Sequence, residues 1–456
     1  MSPTLAGARE RIWSRAKAAG LSRLVIVATF ALAMVGYWLV YHFQLPHWPP
    51  VRSDGEGYYA YLPAYLLYGD PSLRSVVAHH FLTHAQYGLF SPVSGGFGLT
   101  LQSNGNWLDQ YPVGEAILLI PFFLIGHAIA LAQGLQADGY TSPELYAVGT
   151  GAAVYATLGL LALRAVLRRW FTDVVIAATL IVVVFGTSLF QYISYDSMFS
   201  HGFSFAAVAV AMLCALRWFE RPGSWWRALA LGLSAGAVVA LRVTDVVMMP
   251  GLLLLGVGSL TALRARFALL AHHLWRSALV LVAGAVCLVP QVFTWWVATG
   301  HLIVDPYQSG QGFDLAHPQL LASLFALVPH GLLPYAPALG LSAIGLAMAW
   351  WRRRDLALPV TVAFLPFWYL MSAWWDWSFS DGFGNRIYVN ILPFLALPLA
   401  LLFASVQRRW LRNTLGVVTA VLVMVTVLLM IAYWRGALPG DGAASIQQYL
   451  RLLKHP

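Results

Sequence analysis

Charge is what this 456-residue chain has least of. Asp, Glu, Lys and Arg make up 10% of it, where a soluble globular protein carries about 25%. So few charges cannot cover the water-facing surface of a chain that, at roughly 150 residues per domain, would otherwise suit about three soluble domains. Hydrophobic residues reach 59% and the mean hydropathy is +0.70, so lipid is the main solvent and the chain reads as a polytopic membrane protein. Cysteine is nearly missing: Cys214 and Cys287 each sit inside an apolar run, which supports neither a disulfide framework nor a cysteine metal site. A Gly-rich phosphate loop and the strand and helix alternation of a nucleotide-binding domain are also lacking. Lys and Arg outnumber Asp and Glu by 27 to 18, a formal +9. They occur in short clusters between apolar runs, so they report topology and imply no nucleic-acid partner.

A spanning helix needs about 20 apolar residues. The first run, Leu24 to Phe43, follows Arg9, Arg11, Arg15, Lys17 and Arg23 and ends without a small-residue cleavage site; it reads as an uncleaved anchor with a cytoplasmic N-terminus. Further basic clusters occur at Arg164/Arg168/Arg169, Arg217/Arg221/Arg227, Arg264/Arg266/Arg276, Arg352/Arg353/Arg354 and Arg408/Arg409/Arg412. If all face the cytoplasm, two crossings separate each neighbouring pair. Apolar runs at 145–163, 174–190, 202–216, 228–241, 246–263, 278–299, 330–350, 356–375, 387–406 and 413–433 supply them, for about eleven spans with the first. Pro112 to Gln133 would invert every later cluster if it crossed. Containing Pro112, Glu115, Pro121 and His127, it is expected to lie in or re-enter the outer interface instead.

The expected fold class is therefore an all-α polytopic bundle over residues 1–435, with a long first outer loop at about 44–144. A short amphipathic outer tail, 436–456, carries Ile446, Tyr449, Leu450 and Leu453 on one face.

The inner loops are short and without motif, so function is sought outside. Asp54 and Glu56 alternate with Gly55 and Gly57 just after the first membrane exit, which lets the backbone turn sharply there. Tyr58, Tyr61, Tyr65 and Tyr68 recur at helical spacing and predict an amphipathic helix at the interface, with Tyr58 and Tyr59 as candidate cavity residues. Asp109, ahead of Tyr111-Pro112, is a second acidic group or an acceptor contact. His79, His80 and His84 have metal-like spacing, against which stands an ordinary solvated loop. Arg242 either pairs locally with Asp245 or binds phosphate, and Arg386, after Asn385, is a phosphate ligand, since a guanidinium makes paired hydrogen bonds to phosphate oxygens. His201 is a helix-start residue or a cavity donor. Trp374-Trp375-Asp376-Trp377 reads as an interfacial belt first and a sugar-stacking surface second.

The order and common sidedness of these features resemble the GT-C superfamily of polytopic glycosyltransferases, in particular bacterial relatives of protein O-mannosyltransferase and aminoarabinose transferase. The residues that carry the resemblance are Asp54 and Glu56 in the first outer loop, Tyr111-Pro112-Val113-Gly114, Ser194 to His201, Arg242-Val243-Thr244-Asp245 and Gly384-Asn385-Arg386. It implies a GT-C-like bundle with juxtamembrane helices in the first outer loop and Asp54 as the catalytic base. It also implies a polyprenyl-phosphate-sugar donor whose phosphate meets Arg242 and Arg386. The implied activity is inverting transfer to a glycan, lipid or protein hydroxyl on the periplasmic or extracellular side of a bacterial inner membrane. The alternatives are a lipid-linked glycan ligase and a polyprenyl-lipid flippase or transporter. Glu56 would tune Asp54 or bind a divalent cation, Mg2+ or Mn2+. Two departures stand out: no large soluble C-terminal domain follows, and Gln110-Tyr111 replaces the lysine or histidine of some relatives.

Overall fold

A computed structural model describes residues 20–44, 49–81, 98–307, 311–379 and 382–438. The basic residues before Arg23, His84 and the tail residues from Ile446 to Leu453 lie outside the described residues. The principal helices are α1 (Leu21–Leu39), α2 (Asp54–Leu66), α3 (Gly114–Ala132), α4 (Ser142–Gly149), α5 (Gly151–Leu167), α6 (Asp173–Phe185), α7 (His201–Glu220), α8 (Trp225–Leu241), α9 (Met249–Leu253), α10 (Leu260–His272), α11 (Leu274–Val286), α12 (Val289–Thr299), α13 (Gly340–Arg352), α14 (Arg354–Ser372), α15 (Leu392–Ser405) and α16 (Arg409–Trp434). One antiparallel hairpin, β1 (Leu99–Leu101) with β2 (Trp107–Asp109), pairs Leu99 with Asp109 and Leu101 with Trp107. It rides on the end of α12, where Asn104 and Asn106 donate to the carbonyls of Ala298 and Val297.

Helix covers much of each of the eleven apolar runs, though several are interrupted, and the protein is an all-α polytopic membrane protein. Among the described residues, seven helical stretches are long and apolar enough to cross a membrane, Gly114–Ala132 included, and four more are apolar but shorter. The run at 246–263 is broken: α9 ends at Leu253, Gly256 takes a positive φ of 78°, and Ser259 caps α10 through the Ala262 N–H. Small residues let the helices close up. Gly159 of α5 faces the backbone of Ala206 in α7, and Gly232 and Gly236 of α8 face the Val280 and Gly284 carbonyls of α11, a packing that serves where lipid supplies no hydrophobic drive between helices.

The bundle has two distinct ends. At one, Arg164 and Ser22 meet Asp173, Arg169 and Arg227 meet Glu220, Arg266 lies over the Phe219 ring, and Gly258 abuts Asp355, which pairs with Arg353. Four of the five later basic clusters thus gather at this arginine-rich end. The other end carries Asp54, Ser200, Arg242 and Arg386.

α3 runs antiparallel to α4 and α5 beside the second end only. Gly126 abuts Pro143 and Glu144, Leu119 abuts Gly151, and the Leu118 carbonyl accepts from Tyr155. At 1.5 Å per residue, Tyr155 is still about 13 Å along the helix from Arg164. Within α4, Glu144 completes a capping box with Thr141, accepts from Gly139 N–H and meets His127 of α3.

The tyrosine helix departs from expectation. α2 is buried on nearly every side from Gly55 to Ala64, and most of these phenols find acceptors inside the protein: Tyr58 donates to Ser200, Tyr61 to the Tyr111 carbonyl, and Tyr68, just past the helix, to the Asp138 carbonyl, while the buried Tyr65 hydroxyl has no partner. A phenol so satisfied has no need of the water interface.

Candidate functional site

Asp54 opens α2 directly after Ser53, whose φ of 52° lies in the left-handed region. Arg52, just before, is locked by Asp196 at 2.7 Å and stacks over the rings of Tyr41 and Tyr195. This buried pair fixes the turn from which Asp54 projects. The Asp54 carboxylate accepts from Arg386 Nη2 at 3.2 Å on Oδ2 and from the Tyr111 hydroxyl at 2.9 Å on Oδ1. Its side chain keeps 22% of its surface exposed.

Two arginines reach the site through consecutive residues. The Arg386 guanidinium lies 4.8 Å from the centre of the Phe199 ring, and Arg242 Nη1 donates to Ser200 Oγ at 3.1 Å. Tyr58 donates to the same Oγ at 3.0 Å, with its ring 4.8 Å from that of Tyr111. Burial works against the charge on Arg386, but Asp54, Tyr192 and Tyr111 outweigh it and hold the guanidinium pKa above its ordinary value. The loop before Arg386 needs its glycines: a side chain at Gly382 would press on Tyr192 and Arg386, and Gly384 has a φ of 64°.

The local Arg242–Asp245 pair does not form. Arg242 leaves α8 in an extended conformation, and in the 3-10 turn Val243–Met248 the Asp245 carboxylate stays out of salt-bridge reach while its charge still acts on Arg242. Asp245 instead accepts from Asn390 Nδ2 at 2.9 Å, and Asn390 Oδ1 meets His201 Nδ1 at 3.1 Å. Among the described residues no carboxylate lies within 4.0 Å of Arg242, and its Nε is buried without a hydrogen-bond partner. An unpaired buried guanidinium N–H is costly. His201, 1% exposed and edge-on to Tyr192, belongs to the layer beneath the site.

Other candidates do not converge on Asp54. Glu56 sits about 200° around the helix from it and is 8% exposed; burial pushes its pKa up to about 8. Tyr59 is fully buried, its hydroxyl on the Gly139 carbonyl and its ring against Tyr140. These two face the α3 and α4 layer, so neither lines the site and Glu56 does not sit beside Asp54 to tune it. Asp109 is 3% exposed; its Oδ1 accepts from Tyr111 N–H, its Oδ2 is without a partner, and burial raises its pKa well above the usual range. It lines a small pocket with Tyr61, Trp107 and Thr294. Asn385 donates to the Trp377 carbonyl at 3.0 Å and ties that segment to the Arg386 loop.

No three His, Cys, Asp or Glu side chains come together as metal ligands among the described residues. His79 Nδ1 meets the Ser75 carbonyl and its ring stacks on Tyr68; the side chain of His80, like His84, lies outside the described residues.

Sequence reasoning assigned no role in the site to Ser200, Phe199 or Glu115. Glu115 opens α3 wholly buried, with neither oxygen hydrogen-bonded, where it feels the charges of Asp54 and Arg242. Its signal was available: a carboxyl inside an apolar helix is costly enough to mark a functional position by itself.

No family model and no curated protein matches the chain. Among solved structures, ArnT from Cupriavidus metallidurans in the apo state superimposes over 94% of this chain and 75% of its own, with a TM-score of 0.50 and 14% sequence identity. At that identity the likeness is one of fold: this chain shares the polytopic helical architecture of that structure.

Proposed function

We propose that the chain is an inverting membrane glycosyltransferase that moves a sugar from a polyprenyl-phosphate donor to an acceptor hydroxyl. The observation that carries this reading is the grouping of the Asp54 carboxylate and two arginines at one end of a GT-C-like bundle, with no carboxylate within 4.0 Å of Arg242 among the described residues. The end with Asp54 faces the periplasm of a bacterial inner membrane, where no nucleotide sugar is at hand and the donor must arrive activated on a lipid. Asp54 takes the proton as the acceptor oxygen bonds to the anomeric carbon, and the bond from that carbon to the phosphate oxygen breaks. The polyprenyl phosphate leaves as an anion held by Arg242 and Arg386. General-base action contributes about 10² to 10⁴ in rate, and preorganised donors aimed at developing charge about as much or more. A transporter would instead place its polar groups near mid-membrane on broken helices.

Purified chain with labelled polyprenyl-phosphate hexoses, scored for released polyprenyl phosphate, tests the assignment. Asp54→Asn is expected to lower release by about 10² or more while polyprenyl-phosphate binding persists. Release at the wild-type rate would sink the role given to Asp54.

A further inference from the structure

A cluster of aromatic rings borders the reaction centre and takes no part in the chemistry above. The segment from Gly312 to Gln319 is zipped onto the C-terminal end of α14: Trp375 N–H donates to the Gly312 carbonyl, Asp314 N–H to that of Ala373, Gln319 N–H to that of Ser372, and the Tyr369 hydroxyl to that of Leu315. On this frame the Trp374 ring gathers Tyr307 at 4.8 Å and Phe313 at 4.7 Å, with Trp375 at 6.5 Å. Tyr307 is 38% exposed, Phe313 40% and Trp375 53%.

These rings are continuous with the site. Tyr307 feels the charges of both Arg242 and Asp54, Asp376 acts on Arg386, and the Trp377 carbonyl holds Asn385. The rim is polar, with Asp305 accepting from Tyr307 N–H and an exposed Asp314 and His317 pair.

We propose that Tyr307, Phe313, Trp374 and Trp375 form the acceptor subsite, and that the acceptor is a saccharide that lays the C–H face of a pyranose ring on them. The proposal rests on the transferase reading and adds the acceptor class to it. The negative face of an aromatic ring attracts the weakly positive C–H hydrogens of a sugar, and carboxylates at the rim accept from its hydroxyls. A lipid tail needs a groove without carboxylates, which this rim does not offer.

Two measurements on the full chain test it. Saturation-transfer NMR with neutral oligosaccharides reads binding without turnover: C–H protons of one sugar face gain signal with the wild type and lose it with Trp375→Ala. In the transfer assay, Trp375→Ala and Phe313→Ala raise the acceptor KM about tenfold, the loss of roughly 1.4 kcal/mol, leave donor KM unchanged, and Trp375→Tyr recovers most of the loss. An unchanged acceptor KM in Trp375→Ala, or transfer to lipid or peptide hydroxyls with no saccharide signal, overturns the proposal. A wild type that binds saccharide yet releases no polyprenyl phosphate with any acceptor overturns the transferase reading, and the acceptor role with it.

Discussion

Arg242 holds the least satisfied charge in the site. One of its nitrogens rests on Ser200, its Nε is buried and idle, and no carboxylate is near enough to pair among the described residues. Hydrogen bonds between charged partners contribute about 1.5–3 kcal/mol, so Arg242→Gln is expected to weaken binding of sugar-free polyprenyl phosphate by at least tenfold. Arg242→Lys keeps the charge, loses the planar fork and falls between the two; equal binding by all three in a lipid-binding assay removes Arg242 from the phosphate site. Glu56 makes a different prediction. Its folded-state pKa of about 8 stands above the ordinary 4.5, so between those values the unfolded chain gives up its proton first. Stability is then fullest below about pH 4.5, falls as pH rises by at most about 1.4 kcal/mol per unit, and levels off above pH 8. Thermal unfolding in detergent across pH 5 to 8 reads that slope, and Glu56→Gln flattens it.

At the scale of elements, α2 shows both what the chain's order of residues reveals and what it conceals. The apolar runs were legible as helices because a spanning helix must be apolar over most of its length, and Asp54 was legible because it follows the first run at a glycine-rich turn. The tyrosines were misread. Periodic tyrosine looks the same on a surface helix and on a buried one, and their acceptors, Gly139, Tyr111 and Ser200, stand far away in sequence. For the same reason Arg386 could be placed on the side of Asp54 but not against Phe199, and Arg242 could not be separated from Asp245, three residues away, until the 3-10 turn was seen. Gly57 ties this helix to the reaction: a side chain there would strike the Tyr111 ring, which hydrogen-bonds Asp54. Gly57→Ala is therefore expected to displace Tyr111 and lower the transfer rate further than Tyr111→Phe, which removes only one hydroxyl, with helix content by circular dichroism unchanged. Activity equal to wild type in Gly57→Ala would show that Tyr111 does not orient the base.

For the whole molecule the decisive question is which end faces the cytoplasm, and α3 is the element on which it turns. By length and composition α3 could cross, and if it did, every later basic cluster would lie on the wrong side of the membrane. Its contacts argue otherwise. It runs beside residues 143 to 155 and stops well short of Arg164, so both its ends lie toward the half of the bundle that holds Asp54. The helices α4 and α5 then lead from that half to the arginine-rich end. Gln136 and Arg168 are exposed residues beyond opposite ends of this pair, so a reagent confined to one side of the membrane can reach only one of them. In a chain without Cys214 and Cys287, Gln136→Cys is expected to react with a membrane-impermeant maleimide in intact spheroplasts, and Arg168→Cys only after permeabilisation. The reverse pattern would mean that the bundle is inserted the other way round, with its N-terminus outside. It would also move Asp54, Arg242 and Arg386 to the cytoplasmic face, where nucleotide sugars are available and the case for a lipid-linked donor loses its footing.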